Sequence, residues 1–415
     1  MRLLVLLLVA GLLVSAQPAS VAAVGPPFHE LWRAPACSDA GCDTTFVGWS
    51  LHGVHAADGR LSLDRARPAE TGEIEGLAIP AGLAGVAISP MQVTSAPFTE
   101  AIASWNAETP PGTWIEIRLR ARIGGVEDGR WTRWYELGSW SREAGTERRQ
   151  SVKGQRDDDG QVLTDTVALR APASAHQLAL TFRADEAGTS DTPASLGPSV
   201  SLVTVLASAP SSTARILPTS HAAWGTTLDV PERSQMIYPN GGPVWCSPTS
   251  TSMVMAYWAE RLGEPALDRP VPEVAAAVYD VVYRGNGNWS FNTAYAAQHG
   301  LKAYVSRMSS LGQVERWIEA GVPVVASLAW APGELRNAAV PSTNGHLLAI
   351  VGFTASGDVV VNDPAADPRL GLSVRRVYPR DAMERLWLTH SGGTVYLIYP
   401  EHHQPPSSDM AFGAW

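Results

Sequence analysis

Gly241-Gly242-Pro243-Val244-Trp245-Cys246-Ser247-Pro248-Thr249-Ser250-Thr251-Ser252-Met253-Val254-Met255-Ala256-Tyr257-Trp258 is the stretch on which the reading of this chain turns. Two glycines and a proline keep the approach to Cys246 irregular. Pro248 suits a first helical turn, because the N–H it lacks would be unpaired there. Serines and threonines offer caps, and Gly263 offers the stop. The spacing predicts an amphipathic helix with Met253, Ala256, Tyr257 and Glu260 on one side and Val254, Trp258 and Leu262 facing the core. Cys246 then sits at the positive end of the helix dipole, where a thiol pKa falls from about 8.5 toward values at which thiolate dominates near neutrality. The alternative is a buried structural cysteine, the ordinary fate of an unpaired one. Its partners decide between the two.

A thiolate nucleophile needs a base. Asn344-Gly345-His346-Leu347-Leu348-Ala349-Ile350-Val351-Gly352-Phe353 opens an apolar strand on a histidine 100 residues downstream of Cys246. After Ser356-Gly357-Asp358 the chain returns through Val359-Val360-Val361-Asn362-Asp363-Pro364, the pattern of an antiparallel hairpin. A turn centred on residues 354 and 355 sets Asp363 beside His346, whereas one centred on 356 and 357 sets it opposite Ile350. In the first register Asp363 accepts from one imidazole nitrogen and fixes the tautomer, leaving the other nitrogen to hold the thiol proton. Asn362 is the rival orienter, since an amide serves in some cysteine proteases. An oxyanion donor should precede the nucleophile: Gln235 lies 11 residues upstream of Cys246, whose own N–H is the companion donor, and Asn240 is the alternative.

Residues 230 to 399 resemble the papain-fold cysteine peptidases of the bacteriocin-processing, double-glycine leader type, in their secreted stand-alone branch. The resemblance rests on Gln235, on Cys246 with its Ser-Pro-Thr-Ser helix, on Gly345-His346 entering an apolar strand, and on Asn362-Asp363-Pro364. It implies Cys246 as nucleophile, His346 as base and acid, Asp363 as orienter and Gln235 as oxyanion donor. Two features depart from the family pattern. Cys246-Ser247-Pro248 stands for the usual Cys-Gly-Pro, and the gap from Gln235 to Cys246 is longer than usual. This chemistry calls for no cofactor and no metal.

Arg2 precedes an apolar run over residues 3–14, and Val14-Ser15-Ala16 or Val21-Ala22-Ala23 resembles a signal-peptidase site. Residues 1–23 therefore read as a signal peptide and the chain as secreted, with no transmembrane segment once mature; a span needs about 20 apolar residues. In an oxidising compartment Cys37 and Cys42 most simply close a small disulfide loop, which leaves Cys246 unpaired.

With 415 residues the chain exceeds one typical core. Residues 26–206 read as an all-β sandwich of jelly-roll type. In Trp114-Ile115-Glu116-Ile117-Arg118-Leu119-Arg120-Ala121-Arg122-Ile123 apolar side chains hold the odd positions and charges the even ones from Glu116 onward. Leu178, Leu180 and Phe182 repeat the pattern, as do Val203 and Val205, between turn-forming clusters. Residues 207–224 have linker composition, 225–402 read as an α+β papain-like peptidase domain, and 403–415 as a tail. Within that domain, helices are expected at Cys246, over 271–283 and over 311–320, and strands over 322–330, 346–353, 359–361 and 395–399.

A net charge of −9 and the lack of any basic run argue against nucleic acid as a partner. The expected partners are a peptide or protein substrate and a surface glycan held by Trp105, Trp114, Trp131, Trp134 or Trp140 of the β domain. Asp157-Asp158-Asp159-Gly160 reads as a solvated turn before it reads as a calcium loop, and His402 and His403 read as tail. Trp245, Trp289 and Asn286-Gly287-Asn288 are candidate selectivity elements. The function expected is peptide-bond hydrolysis through an acyl-enzyme. The alternatives are acyl transfer to an amine, as transglutaminase-like enzymes perform it, and a non-catalytic surface or glycan-binding protein with a degenerate thiol site.

Overall fold

The computed structural model describes residues 28–34, 46–143, 148–185, 197–209 and 221–406. The signal-peptide stretch, Cys37, Cys42 and most of the 207–224 segment lie outside the described residues. Two bodies of structure follow one another. Up to residue 209 the described chain forms strands and no helices, most of them in one branched 12-stranded sheet. Its centre is four long strands, Gln92–Glu108, Thr113–Ile123, Thr166–Ala184 and Ser199–Ala209. The 19-residue strand serves four neighbours, among them Gly160–Leu163 along its start and Leu83–Ile88 along its end. Thr166, Val167 and Ala168 pair with Ile102, Ala101 and Glu100, and after register breaks around Ala173 the rest pairs with Thr113–Ile123. Thr113–Ile123 alternates between buried and half-buried residues, as its odd-even pattern predicts. Ala207, read as the start of a linker, is still paired in the strand Ser199–Ala209.

The second body is a six-stranded antiparallel sheet in the order Leu301–Arg307, Thr394–Pro400, Val324–Trp330, Thr343–Phe353, Val359–Asn362, Arg375–Tyr378. Five helices accompany it: α1 Cys246–Leu262, α2 Val271–Val278, α3 Trp289–Ala297, α4 Leu311–Glu319 and α5 Arg380–Ser391. α1 ends on Gly263 in the left-handed region, φ 67°, as a glycine C-cap should. Its start differs from expectation, since the capping position is Trp245 with no side-chain cap. Leu262 is exposed rather than core-facing, because α1 is buried on every side from Ser247 to Ala259 and only its last turn emerges. α2 stops at Val278, well short of 283. There Asp280 takes over, its carboxylate accepting from the N–H groups of Val282 and Tyr283 and closing a turn. His403, read as tail, packs inward, its Nε2 2.8 Å from the Ala320 carbonyl oxygen.

The two bodies share one apolar core. Phe291 of α3 meets Trp105 and Trp140 edge to face, with ring centroids 6.1 and 5.3 Å apart. Asn106 donates to the Ala303 carbonyl (2.6 Å) and accepts from the Ala303 N–H (3.3 Å), so its side chain mimics a strand neighbour. Ser104 accepts from the Val305 N–H, Ser290 donates to the Ala103 carbonyl, and Arg307 donates to Glu100 and Ser208. The tryptophans expected as sugar platforms have different surroundings. Trp105 and Trp140 are core, Trp114 lies under Arg148 and Arg183, and Trp131 and Trp134 lie under Arg120. Asp157 and Asp159 pair with Arg133 and Arg130.

Candidate active site

α1 lies on the strand that carries His346, and Ser250 donates to the Leu347 carbonyl at 3.2 Å. That contact brings the first residue of α1 to the first buried residue of the strand. Cys246, half-buried and unpaired, receives the His346 imidazole and the backbone N–H groups of Ser247 and Leu347. His346 is 4% exposed. Its Nε2 lies 2.8 Å from Asp363 Oδ1, so the other ring nitrogen, Nδ1, is the one turned to the thiol. Trp330 stands perpendicular to the imidazole at 5.5 Å and shields it.

Neither of the two hairpin registers expected for this pair occurs. Ala349 pairs with Asn362 and Ile350 with Val361, and then a bulge shifts the ladder so that Gly352 meets Val360. The turn itself closes between Thr354 and Asp358. Asp363 comes level with Leu348, two residues beyond His346 on the same face, and the imidazole reaches it along the diagonal. Asp363 is fully buried and held from two further sides, by the Tyr378 hydroxyl on Oδ2 and the Ala365 N–H on Oδ1. Asn362, the rival orienter, spends its carboxamide on the Val230 carbonyl and on Arg375.

The electrostatics follow from this burial. Desolvation alone would raise the Asp363 carboxyl, yet the facing imidazole, the Tyr378 hydroxyl and the Ala365 N–H together bring it below the ordinary carboxylate range. Burial would lower the His346 imidazole, but attraction to Asp363 and to the Cys246 sulfur raises it to about 10. Burial would likewise raise the thiol, and the His346 imidazole beside it with the two backbone N–H groups lowers it. Both shifts favour the charged pair, thiolate with imidazolium, over the neutral thiol and imidazole.

Gln235 opens a 3-10 turn, Gln235–Ile237, and a second turn, Gly242–Val244, folds back against it. A Cβ on Gly242 would stand 2.3 Å from the Gln235 carbonyl oxygen, so only glycine permits this approach. The fold-back absorbs the long gap to Cys246. Gln235 is 2% exposed, lines the same cleft as Cys246 and His346, and leaves its amide oxygen without a hydrogen-bond partner among the described residues. Asn240 is exposed and does not line that cleft. Ser247, which stands where the family pattern has glycine, is seated by a 2.9 Å contact between its hydroxyl and that of Tyr396.

The cleft holds about 1720 Å³ and runs between the two bodies. Trp289, Asn286 and Gly287 line it; Trp245 and Asn288 do not. Trp245 leans on Tyr238, and Asn288 caps α3 through the Phe291 N–H. Several lining or supporting residues carry no local signal in the sequence. Tyr378 is one tyrosine on an edge strand, and Leu163, Thr164 and Asp165 come from the other half of the chain. The detectable clue to that shared cleft is the run from Ala101 to Ala107, which is buried throughout and breaks the alternation of a one-sided strand.

Residues 40–208 match the family model described as Peptidase C39 N-terminal domain. Residues 227–395 match the model described as Peptidase_C39 like family. A structure described as that of a C39-like peptidase from Bacillus anthracis aligns at 18% identity and a TM-score of 0.30, covering 41% of this chain and 96% of that one. No curated protein matches the chain. The two family models adjoin each other and between them take in both bodies of the fold: the chain belongs to the C39-like peptidase family.

Proposed function

We propose that this protein is a secreted cysteine peptidase that hydrolyses peptide bonds through Cys246, His346 and Asp363. One observation carries the reading: a buried line of contacts from the thiol through the imidazole to a carboxylate, opening on a cleft. In the reaction the Cys246 thiolate attacks the scissile carbonyl carbon. The developing oxyanion is met by the Cys246 N–H and the side-chain NH2 of Gln235, a buried residue that lines the same cleft. His346, already protonated, gives its proton to the leaving amine. It then takes a proton from water, whose oxygen attacks the thioester and releases the acid and the thiolate. Asp363 keeps the ring oriented and the imidazolium neutralised. The basic residue and apolar run at the N-terminus support export. The strand-only half is read as a sandwich-type accessory domain, with the chain divided near residues 207–224.

The pH dependence of iodoacetamide alkylation at Cys246 tests the activated pair. With the thiol lowered and the imidazole raised to about 10, thiolate forms below its ordinary range, and the alkylation rate is expected to be near its plateau already below pH 7. In His346→Ala the rate should rise only around pH 8 to 9, as for a free thiol. Hydrolysis should show the same acid limb and an alkaline limb toward pH 10, where His346 loses the proton the leaving amine needs. A wild-type rate that rises only above pH 8 sinks the proposal. Added amine in the hydrolysis assay separates water from amine as the final acceptor.

Gln235→Ala is expected to lower kcat by about 10²–10³ while alkylation stays within about threefold of wild type, since the donor acts on the tetrahedral oxygen and not on the sulfur. Equal loss in both assays would mean that Gln235 only holds the local fold.

A further inference from the structure

The strands Gly160–Leu163 and Thr166–Ala184 of the N-terminal half form a hairpin in which Leu163 pairs with Thr166. Thr164 and Asp165 are its two-residue tip, with Thr164 at φ 60° and the Asp165 N–H on the Leu163 carbonyl at 2.7 Å. The tip is anchored in the other half of the chain. Asp165 Oδ2 accepts from the Trp289 N–H at 2.7 Å, and Oδ1 takes the Thr166 hydroxyl at 3.1 Å. Its carboxylate is thereby spent inside the protein, and the tip offers the cleft an apolar residue, Leu163, which is 53% exposed.

Two other large apolar side chains stand exposed in the same cleft, Val244 at 65% and Tyr283 at 48%. Val244 is two residues before Cys246. The Tyr283 hydroxyl is close enough to feel charge on both Cys246 and Asp165. Its ring is fixed over Gly285, where a Cβ would come within 2.8 Å of Cε1. The loop that carries it is tied across the interface by the Ser151 N–H on Asp280 Oδ1, 3.1 Å. Apolar surface left in water at three points of the cleft that holds the thiol is unusual for a solvated loop and ordinary for a side-chain pocket.

We propose that the 163–166 hairpin tip is part of the substrate-binding cleft, and that Leu163, Val244 and Tyr283 hold an apolar side chain of the peptide next to Cys246. The N-terminal half is then a specificity element of the enzyme. This deepens the peptidase reading and rests on it.

The test uses full-length Cys246→Ala protein, which holds a peptide without turning it over. The probes are pools of fluorescent octapeptides with Leu, Phe, Asp or Lys fixed at one position among random residues. The Leu and Phe pools are expected to bind at least 10-fold more tightly than the Asp and Lys pools, the scale of burying one aliphatic side chain. Leu163→Asp on the same background should abolish the preference. Leu163→Ala, which leaves the tip and its Asp165 anchor intact, should weaken the apolar pools about tenfold. Equal binding of all four pools, or a preference that survives both substitutions, overturns the assignment. Cleavage of the pools by protein with Cys246 intact is read separately. Cleavage without dependence on Leu163 leaves the peptidase reading standing and removes this pocket; binding that depends on Leu163 with no cleavage does the reverse.

Discussion

Cys246→Ala is expected to reduce peptide hydrolysis by about four orders of magnitude or more, the loss seen when the nucleophile of a covalent mechanism is removed. The reason is local: Cys246 is the free cysteine among the described residues, and its sulfur is the one that faces His346. The fold should survive, because the thiol is half-buried and alanine suits the first turn of α1. A melting temperature within a few degrees of wild type, together with loss of the acyl-enzyme mass seen on rapid quenching of the wild type, would mark the effect as chemical. Hydrolysis that persists in the variant would remove Cys246 from the mechanism.

Asp363→Asn is the second large effect, and it works at a distance from the sulfur. Asparagine keeps the shape and a contact to Tyr378 but takes away the charge that holds His346 protonated. Burial, which disfavours the imidazolium, then prevails, the ring becomes neutral, and the proton is retained by the thiol. The acid limb of the alkylation profile should move up by at least one pH unit toward ordinary thiol behaviour, and kcat should fall about 10²–10⁴. Asp363→Ala should also cost stability, about 1–3 kcal/mol for each buried group left without its partner. The groups so left are the His346 Nε2–H, the Tyr378 hydroxyl proton and the Ala365 N–H. An unchanged alkylation profile in Asp363→Asn would show that the carboxylate does not act through the imidazole.

Much of this site is legible in the amino-acid sequence alone. The helix at Cys246 is marked at both ends, by Pro248 and by Gly263, and the hairpin by its turn and by its valines. The register is not, because the bulge near Val351 adds a residue to one strand and nothing in an all-apolar run says where a bulge falls. α3 carries no helical signature, since Trp-Ser-Phe-Asn-Thr-Ala-Tyr is a poor helix former by propensity; its order comes from the Asn288 cap and from burial between the two halves. The strand Arg375–Tyr378 and helix α5 are equally unmarked, and with them the hydroxyl that steadies Asp363. Gln235 is identifiable by type alone, whereas its position depends on a glycine contact made across a fold-back.

The joint between the halves bears on how such a protein can change. Phe291 is wedged between Trp105 and Trp140, and Asn106 completes the edge of a strand 197 residues away in the chain. Cutting or exchanging either half at the 210–220 segment would divide the polypeptide at a convenient place but the apolar core at an inconvenient one. Substitutions on the two sides of that seam are therefore tied to one another. A graft that brings this peptidase half to a new partner must bring the Glu100–Asn106 edge with it, or rebuild that surface to match.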